Sequence, residues 1–167
     1  MLSISWTEGW GTAPHNIPDE LKRFIKAQFP GANYVLSVCT GSWALAQAGA
    51  IDGRRATTNK ATFRTVVVCI HLLMLLLMFL LLTRVIFHLI QEQTVDSKID
   101  WVPKARWVVD GAFWSASGVS AGIDMTVAWL KHIVGEEYTR EIQALVEVSS
   151  KEEGDDEWAA YHGLVPQ

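Results

Sequence analysis

Between Thr65 and Leu82 the chain is almost wholly apolar, T-V-V-V-C-I-H-L-L-M-L-L-L-M-F-L-L-L, and after Arg84 it continues V-I-F-H-L-I. By length and hydropathy this run is a transmembrane-helix candidate, interrupted only by His71. Its position constrains everything else. A single span would leave the residues before it on one side of a membrane and those after Gln91 on the other, and two such halves cannot share one β-sheet. A core helix apolar on every side suits a chain of 167 residues poorly, because helices around a small core keep a polar face. Three readings stay open: a membrane span, an apolar core helix, and a segment foreign to the fold.

On both sides of the run the pattern is that of short helices and strands. The opening to Asn16 is turn-like, with Gly9, Gly11 and Pro14, and E-G-W-G-T reads as a loop presenting backbone N–H groups. Pro18 fits a first helical turn, Asp19 and Glu20 suit its positive end, and Leu21, Phe24, Ile25 and Phe29 recur at helical spacing opposite Lys22, Arg23 and Lys26. Pro30 and Gly31 end that helix. Tyr34, Val35, Leu36 and Val38 form an apolar run of strand length, and from Ser42 the composition switches to helix formers closed by Gly49. I-D-G-R-R is a turn, followed by a short β segment at Ala56–Thr58. This alternation predicts a parallel sheet covered by helices, with ligands bound beyond the carboxyl ends of the strands.

Downstream, K-A-R-W-V-V-D-G-A-F-W-S-A-S carries two β-prone runs around Asp110 and Gly111, a hairpin signal. S-G-V-S-A-G-I-D-M-T-V-A-W-L-K-H-I-V-G reads as a glycine-rich loop feeding a helix that Gly135 closes, with Ile123, Val127, Leu130 and Val134 as its buried face. Glu136 to Val148 reads as an amphipathic helix with Tyr138, Ile142 and Leu145 inward. The tail S-S-K-E-E-G-D-D-E-W is acidic and reads as solvated, with Trp158, Tyr161 and Leu164 available to dock back. There is no internal repeat.

The chemistry centres on Cys39, at the junction of strand and helix. A nucleophile at such a turn is pushed out of the sheet, Gly41 permits close backbone approach, and the first-turn N–H groups and helix dipole favour thiolate over thiol. The plainer alternative is a buried core cysteine; the C-T-G context decides against it. The net charge of −4 and a pI near 5.7 give no electrostatic case for nucleic acid. Cys39 and Cys69 lie in unlike surroundings, which argues against a structural disulfide and for a reducing compartment. The first residues lack the basic start and apolar core of a signal peptide. The eight tryptophans are scattered and read as packing residues. The five histidines, His15, His71, His88, His132 and His162, show no metal-ligand spacing, and no metal or organic cofactor is expected. Asp124 is a site candidate, but an Asp opening a helix is more often a cap or dipole partner.

The stretch Y-V-L-S-V-C-T-G-S-W-A-L-A-Q-A-G-A-I-D-G-R-R-A-T-T-N-K, the later W-V-P-K-A-R-W-V-V-D-G, the S-G-V-S-A-G-I-D-M-T segment and the terminal H-G-L-V resemble, in order, the ThiJ/PfpI superfamily, whose fold is that of class I glutamine amidotransferases. The isonitrile-hydratase-like branch is the nearest in pattern. The matching pieces cover Ile17–Arg64 and about Lys98–Val165. The resemblance implies a flavodoxin-like α/β/α sandwich with a mainly parallel sheet, incomplete at the N-terminus, plus one long apolar helix. It implies a cytoplasmic homodimer whose elbow cysteine acts on a small electrophilic substrate. By position Cys39 is then the nucleophile, Thr40 supplies a backbone N–H and a hydroxyl beside the substrate, and Gly9 aligns with the glycine loop of the anion pocket.

Three departures qualify the resemblance. Relatives begin with a strand, loop and helix carrying an acidic partner of the cysteine; this chain starts after that unit, and Glu8 lies too close to the glycine loop to replace it. Losing that unit is expected to leave an apolar edge beside the Cys39 strand. Where relatives have T-T-H-W this sequence has T-T-N-K, and Asn59 cannot act as a general base. The family also has no counterpart of 65–90, and joining Arg64 to Gln91 restores a family-like helix, F-R-Q-E-Q-T. The chain thus divides into 1–64 and 91–167, two parts of one domain, around a 65–90 insert that reads as translated intron sequence or a membrane helix. Three functions follow: a cysteine-dependent isonitrile hydratase or glyoxalase-like enzyme of small electrophiles, its activity retained or lost; a non-catalytic ligand- or redox-sensing module; and a single-pass membrane-tethered protein.

Overall fold

The computed structural model describes the backbone of Leu2–Trp6 and residues 17–64 and 98–166 in full. Four strands form the main sheet: β1 (Leu2–Trp6), β2 (Val35–Cys39), β5 (Trp107–Asp110) and β6 (Phe113–Ala116), in the order β1-β2-β6-β5. β1 and β6 both run parallel to β2, and only the β5–β6 pair is antiparallel. A second, two-stranded parallel sheet joins β3 (Arg55–Ala56) to β4 (Asp100–Trp101). The hairpin forms where Asp110 and Gly111 predict it: Asp110 pairs with Phe113, and Gly111 takes a φ of 59°. Glycine reaches that backbone region without penalty, as the first central position of a type II′ turn requires.

Alternation along β2 and β6 sorts the core into two layers. Val35 and its register partner Phe113 face one way and meet Ile25 of α1 (Asp19–Gln28), Leu45 of α2 (Gly41–Gln47) and Ile51. Leu36 and Trp114 face the other way, against Ala121 and Met125 of α3 (Val119–Val134). Helices therefore cover both faces of a mixed sheet, an α/β architecture in which each fully buried Ile or Leu contributes about 1.5–3 kcal/mol. Gly122 sets the spacing on the α3 side: a Cβ there would lie 2.8 Å from Val38 Cγ1. Helix and sheet meet this closely only because that position carries no side chain.

Several sequence expectations change. The opening is not turn-like throughout: Leu2–Trp6, whose L-S-I-S-W alternates with period two, is a strand, and it covers the β2 edge expected to be exposed. The S-G-V-S-A-G stretch is not a loop, because Gly118 is the N-cap and α3 begins at Val119. Nor do the bulky aliphatics alone choose the buried face. Val127 is buried and Leu130 half-buried, but Ile123 and Val134 are exposed while small residues at 121 and 122 press against the sheet. The next helix, α4 (Glu136–Val146), buries Thr139 and turns Tyr138 and Leu145 outward at 66% and 84% exposure, with Ile142 outward as well. Its apolar stripe thus faces outward, and Thr139 is the one buried residue of the helix.

The acidic tail is largely exposed, at 151–155 and at Glu157, as expected of a solvated segment, but one polar side chain docks it. Asp156 is buried against Lys60 at 3.3 Å and accepts the N–H groups of Trp158 and Ala159 at the start of α5 (Trp158–Tyr161). Trp158 and Tyr161 remain exposed. Asp124 neither caps α3 nor lies open to a ligand: it is buried in an ion pair with Arg106 and accepts the Lys151 N–H at 3.1 Å. The 65–90 segment lies outside the described residues, as do Glu8, Gly9 and Cys69. Among the described residues no helix is long and apolar enough to cross a membrane. β2 precedes the segment and β6 follows it, yet they pair in one sheet, which a single membrane pass at 65–90 would forbid.

Candidate functional site

Cys39 is the last residue of β2, and the next helix starts two residues later. Its φ is 59°; among the described residues only Glu147 is another non-glycine with positive φ. A left-handed backbone turns the chain abruptly out of the strand and costs an L-residue about 1–2 kcal/mol. Such strain persists only where surrounding contacts enforce it. Here the Cys39 carbonyl accepts two hydroxyl hydrogen bonds, from Thr58 Oγ1 at 3.1 Å and Ser42 Oγ at 3.3 Å. Both donors are wholly buried. Two such bonds, each contributing about 1 kcal/mol, are of the size needed to offset the strain.

Thr40 is the N-cap of α2, half-buried, with its carbonyl receiving the N–H of Trp43 at 3.1 Å and of Ala44 at 3.3 Å. Cys39 is itself half-buried and carries a free thiol. Cys39 and Thr40 are thus brought together at the elbow as the sequence predicts, whereas Gly9 is outside the described residues. Among the described residues the Cys39 thiol has no hydrogen-bond partner, and no group of three or more His, Cys, Asp or Glu is placed to hold a metal ion. Asn59 is occupied as a helix cap: its Oδ1 accepts the N–H groups of Ala61 at 3.0 Å and Thr62 at 3.4 Å.

Around the elbow lies a polar web that sequence reading missed. The Thr57 N–H donates to Ser115 Oγ, and its hydroxyl to the Val102 carbonyl, both at 2.9 Å. Lys60, buried, donates to Thr57 Oγ1 at 2.9 Å and sits 5.6 Å from the Phe63 ring centroid. Burial pushes the Lys60 ammonium below its ordinary value of 10.5, and Asp156 opposes that shift through charge and a hydrogen bond. The signal for Thr57 and Thr58 was the T-T pair beyond a strand end, but its partners are distant in sequence. His132 sits at the other side of the sheet with Tyr34, ring to ring and 3.1 Å from its hydroxyl.

Fold and elbow define an α/β protein with a cysteine at a strained strand-to-helix turn. The DJ-1/PfpI family model matches residues 10–132, and the chain belongs to that family. The isonitrile hydratase of Pseudomonas putida is 30% identical over 140 residues, which is 83% of this chain and 48% of that protein. The chain therefore spans about half the length of that curated relative. Among solved structures, Drosophila melanogaster DJ-1beta matches with a TM-score of 0.56 at 13% identity, over 88% of this chain and 64% of that one. A ThiJ/PfpI family protein from Pseudomonas syringae gives 0.53 at 20% identity, over 80% and 43%. At these identities the structural likeness speaks for the fold alone.

Proposed function

We propose that this protein is a cysteine-dependent enzyme of small electrophiles, of the hydratase type named for its Pseudomonas putida relative. The observation that carries the reading is Cys39, half-buried with a free thiol and a left-handed backbone, at the carboxyl end of a central strand in a chain of this family. In the proposed reaction the Cys39 thiolate adds to the terminal carbon of an isonitrile, and that carbon takes a proton from water to give a thioimidate. The Thr40 N–H, together with Gly9, stabilises the charge that develops on the substrate. Water then adds to the thio-adduct, the C–S bond breaks, and the thiolate is regenerated with release of the hydrated product.

Purified protein is assayed for hydration of simple alkyl and aryl isonitriles beside Cys39→Ser, together with the pH dependence of Cys39 alkylation. Turnover lost in Cys39→Ser supports the reading. An apparent thiol pKa near the ~8.5 of free cysteine, with no turnover, refutes it. A second reading, a ligand- or redox-sensing module on the same fold, is favoured by one observation: Asn59, next to the Thr58 that binds the elbow carbonyl, cannot act as a general base and is engaged as a helix cap. Reversible peroxide oxidation of Cys39 without turnover would select it.

A further inference from the structure

We propose that Thr58, assisted by Ser42, is a positioning residue for the Cys39–Thr40 peptide, fixing the direction in which the Thr40 N–H is offered to an anionic or polarised substrate group. The inference rests on the reading of Cys39 as the reacting thiol. A trans peptide is planar, with its C=O and N–H on opposite edges, so whatever orients one orients the other. All described peptide bonds are trans. The Cys39 carbonyl receives hydroxyl protons from two separate elements, the first turn of α2 and the segment after β3. With the carbonyl held from two sides, the Thr40 N–H is held away from both donors.

The burial of the two hydroxyls sharpens the point. Thr58 and Ser42 are each 0% exposed, so water cannot replace either donor when it is removed. The sequence separation matters too. Ser42 lies three residues from Cys39 and would follow any movement of the elbow, but Thr58 lies nineteen residues away and is anchored independently. Its neighbour Thr57 is tied to Ser115 in β6 and to Val102. Thr58 therefore references the elbow peptide to the body of the sheet, and the angle of the Thr40 N–H becomes a property of the fold rather than of the local turn.

The test compares alkylation of Cys39 by iodoacetate and by iodoacetamide, quantified on the Cys39 peptide by mass spectrometry so that Cys69 does not contribute. The anionic reagent senses the aimed N–H; the neutral reagent reports access and thiol ionisation. Thr58→Val is expected to lower the iodoacetate-to-iodoacetamide rate ratio about fivefold, the factor for one lost hydrogen bond, while Thr58→Ser, which keeps the hydroxyl, stays near the parent. A merely structural hydroxyl would lower stability in Thr58→Val and leave the ratio alone. Should Thr58→Val fail to fold, Ser42→Ala is read instead, with a fall in the same ratio expected. An unchanged ratio in a folded variant with a reactive thiol overturns this inference only. Ordinary reactivity of Cys39 in the parent protein overturns the nucleophile reading and this one with it.

Discussion

Replacing Cys39 by glycine is expected to stabilise the protein relative to replacing it by alanine, although glycine is the more flexible residue and removes more side-chain surface. Both variants delete the sulfur, so their difference isolates the backbone at φ 59°. A left-handed L-residue costs about 1–2 kcal/mol, which glycine avoids. Glycine forfeits roughly 0.5–1 kcal/mol through the greater freedom of its unfolded chain. The balance favours Cys39→Gly over Cys39→Ala by about 1 kcal/mol, a melting-temperature difference of roughly 2–4 °C for a domain of this size. The hydroxyl bonds to the Cys39 carbonyl are made to backbone and survive in both variants. Urea unfolding with a common m-value, or calorimetry, reads the difference. Glu147, with φ 55° at the end of α4, supplies an independent copy of the experiment, and Glu147→Gly is expected to exceed Glu147→Ala by a similar margin. Ala144→Gly, at an ordinary position within α4, carries the opposite sign and loses about 1 kcal/mol. If Cys39→Ala equals or exceeds Cys39→Gly while the Glu147 pair behaves as expected, the elbow in solution is not left-handed. The account of how the Thr40 N–H is aimed then fails.

Other consequences are separately measurable. Gly122→Ala places a Cβ 2.8 Å from Val38 Cγ1 and is expected to cost about 1–3 kcal/mol, read as a lowered urea midpoint; an unchanged midpoint refutes the close approach of α3 to β2. Lys60→Met leaves the Asp156 carboxylate buried without its cation and is expected to cost roughly 3–5 kcal/mol, whereas Lys60→Met with Asp156→Asn, which keeps the Oδ1 cap of Trp158 and Ala159, recovers most of it. The same lysine sets an alkaline limb. Its folded value lies below the ordinary 10.5, so between those two values the unfolded chain binds more protons and stability rises with pH, a rise that Lys60→Met should abolish. Deleting 65–90 leaves 57–64 and 91–99 to link β3 to β4, more than the dozen residues a parallel crossover needs, so the deletion variant is expected to melt cooperatively; a non-cooperative product refutes the view of 65–90 as foreign to the fold.

Much of the fold was legible because it is local. The Asp110–Gly111 turn, the closure of α3 at Gly135 and the switch from strand to helix at Cys39 each follow from a few adjacent residues with strong preferences. What sequence could not give was direction. Hydropathy marks Ile123, Val134, Tyr138 and Leu145 as a face to be buried, but a helix that approaches a sheet through Ala121 and Gly122 leaves bulky neighbours outside. Choosing between two apolar stripes takes knowledge of the opposing surface, here Val38 and Trp114, which periodicity does not contain. Leu2–Trp6 was missed for a related reason: the glycines and proline just after it dominate the local signal, while its alternation extends over only five residues.

At the candidate site, the placement of Cys39 and Thr40 at a strand-to-helix turn was readable for the same local reason, whereas the contacts around them were not. Thr58, Ser115, Val102 and Asp156 reach the elbow region from four parts of the chain, two of them beyond residue 110, and nothing in a T-T-N-K motif names those partners. This web also bears on the membrane alternative more directly than hydropathy does. Thr57 lies before the 65–90 run, while its acceptors in Val102 and Ser115 lie after it, and Lys60 and Asp156 are likewise divided. A single pass between them would place each donor and acceptor on opposite sides of about 30 Å of hydrocarbon. It would strip β2 of its β6 neighbour and leave Thr58 unanchored, so the strained Cys39 peptide would lose what holds it. A strained elbow and a single-span topology therefore exclude one another in this chain: wherever Cys39 keeps its left-handed backbone, both halves of the sequence lie on the same side.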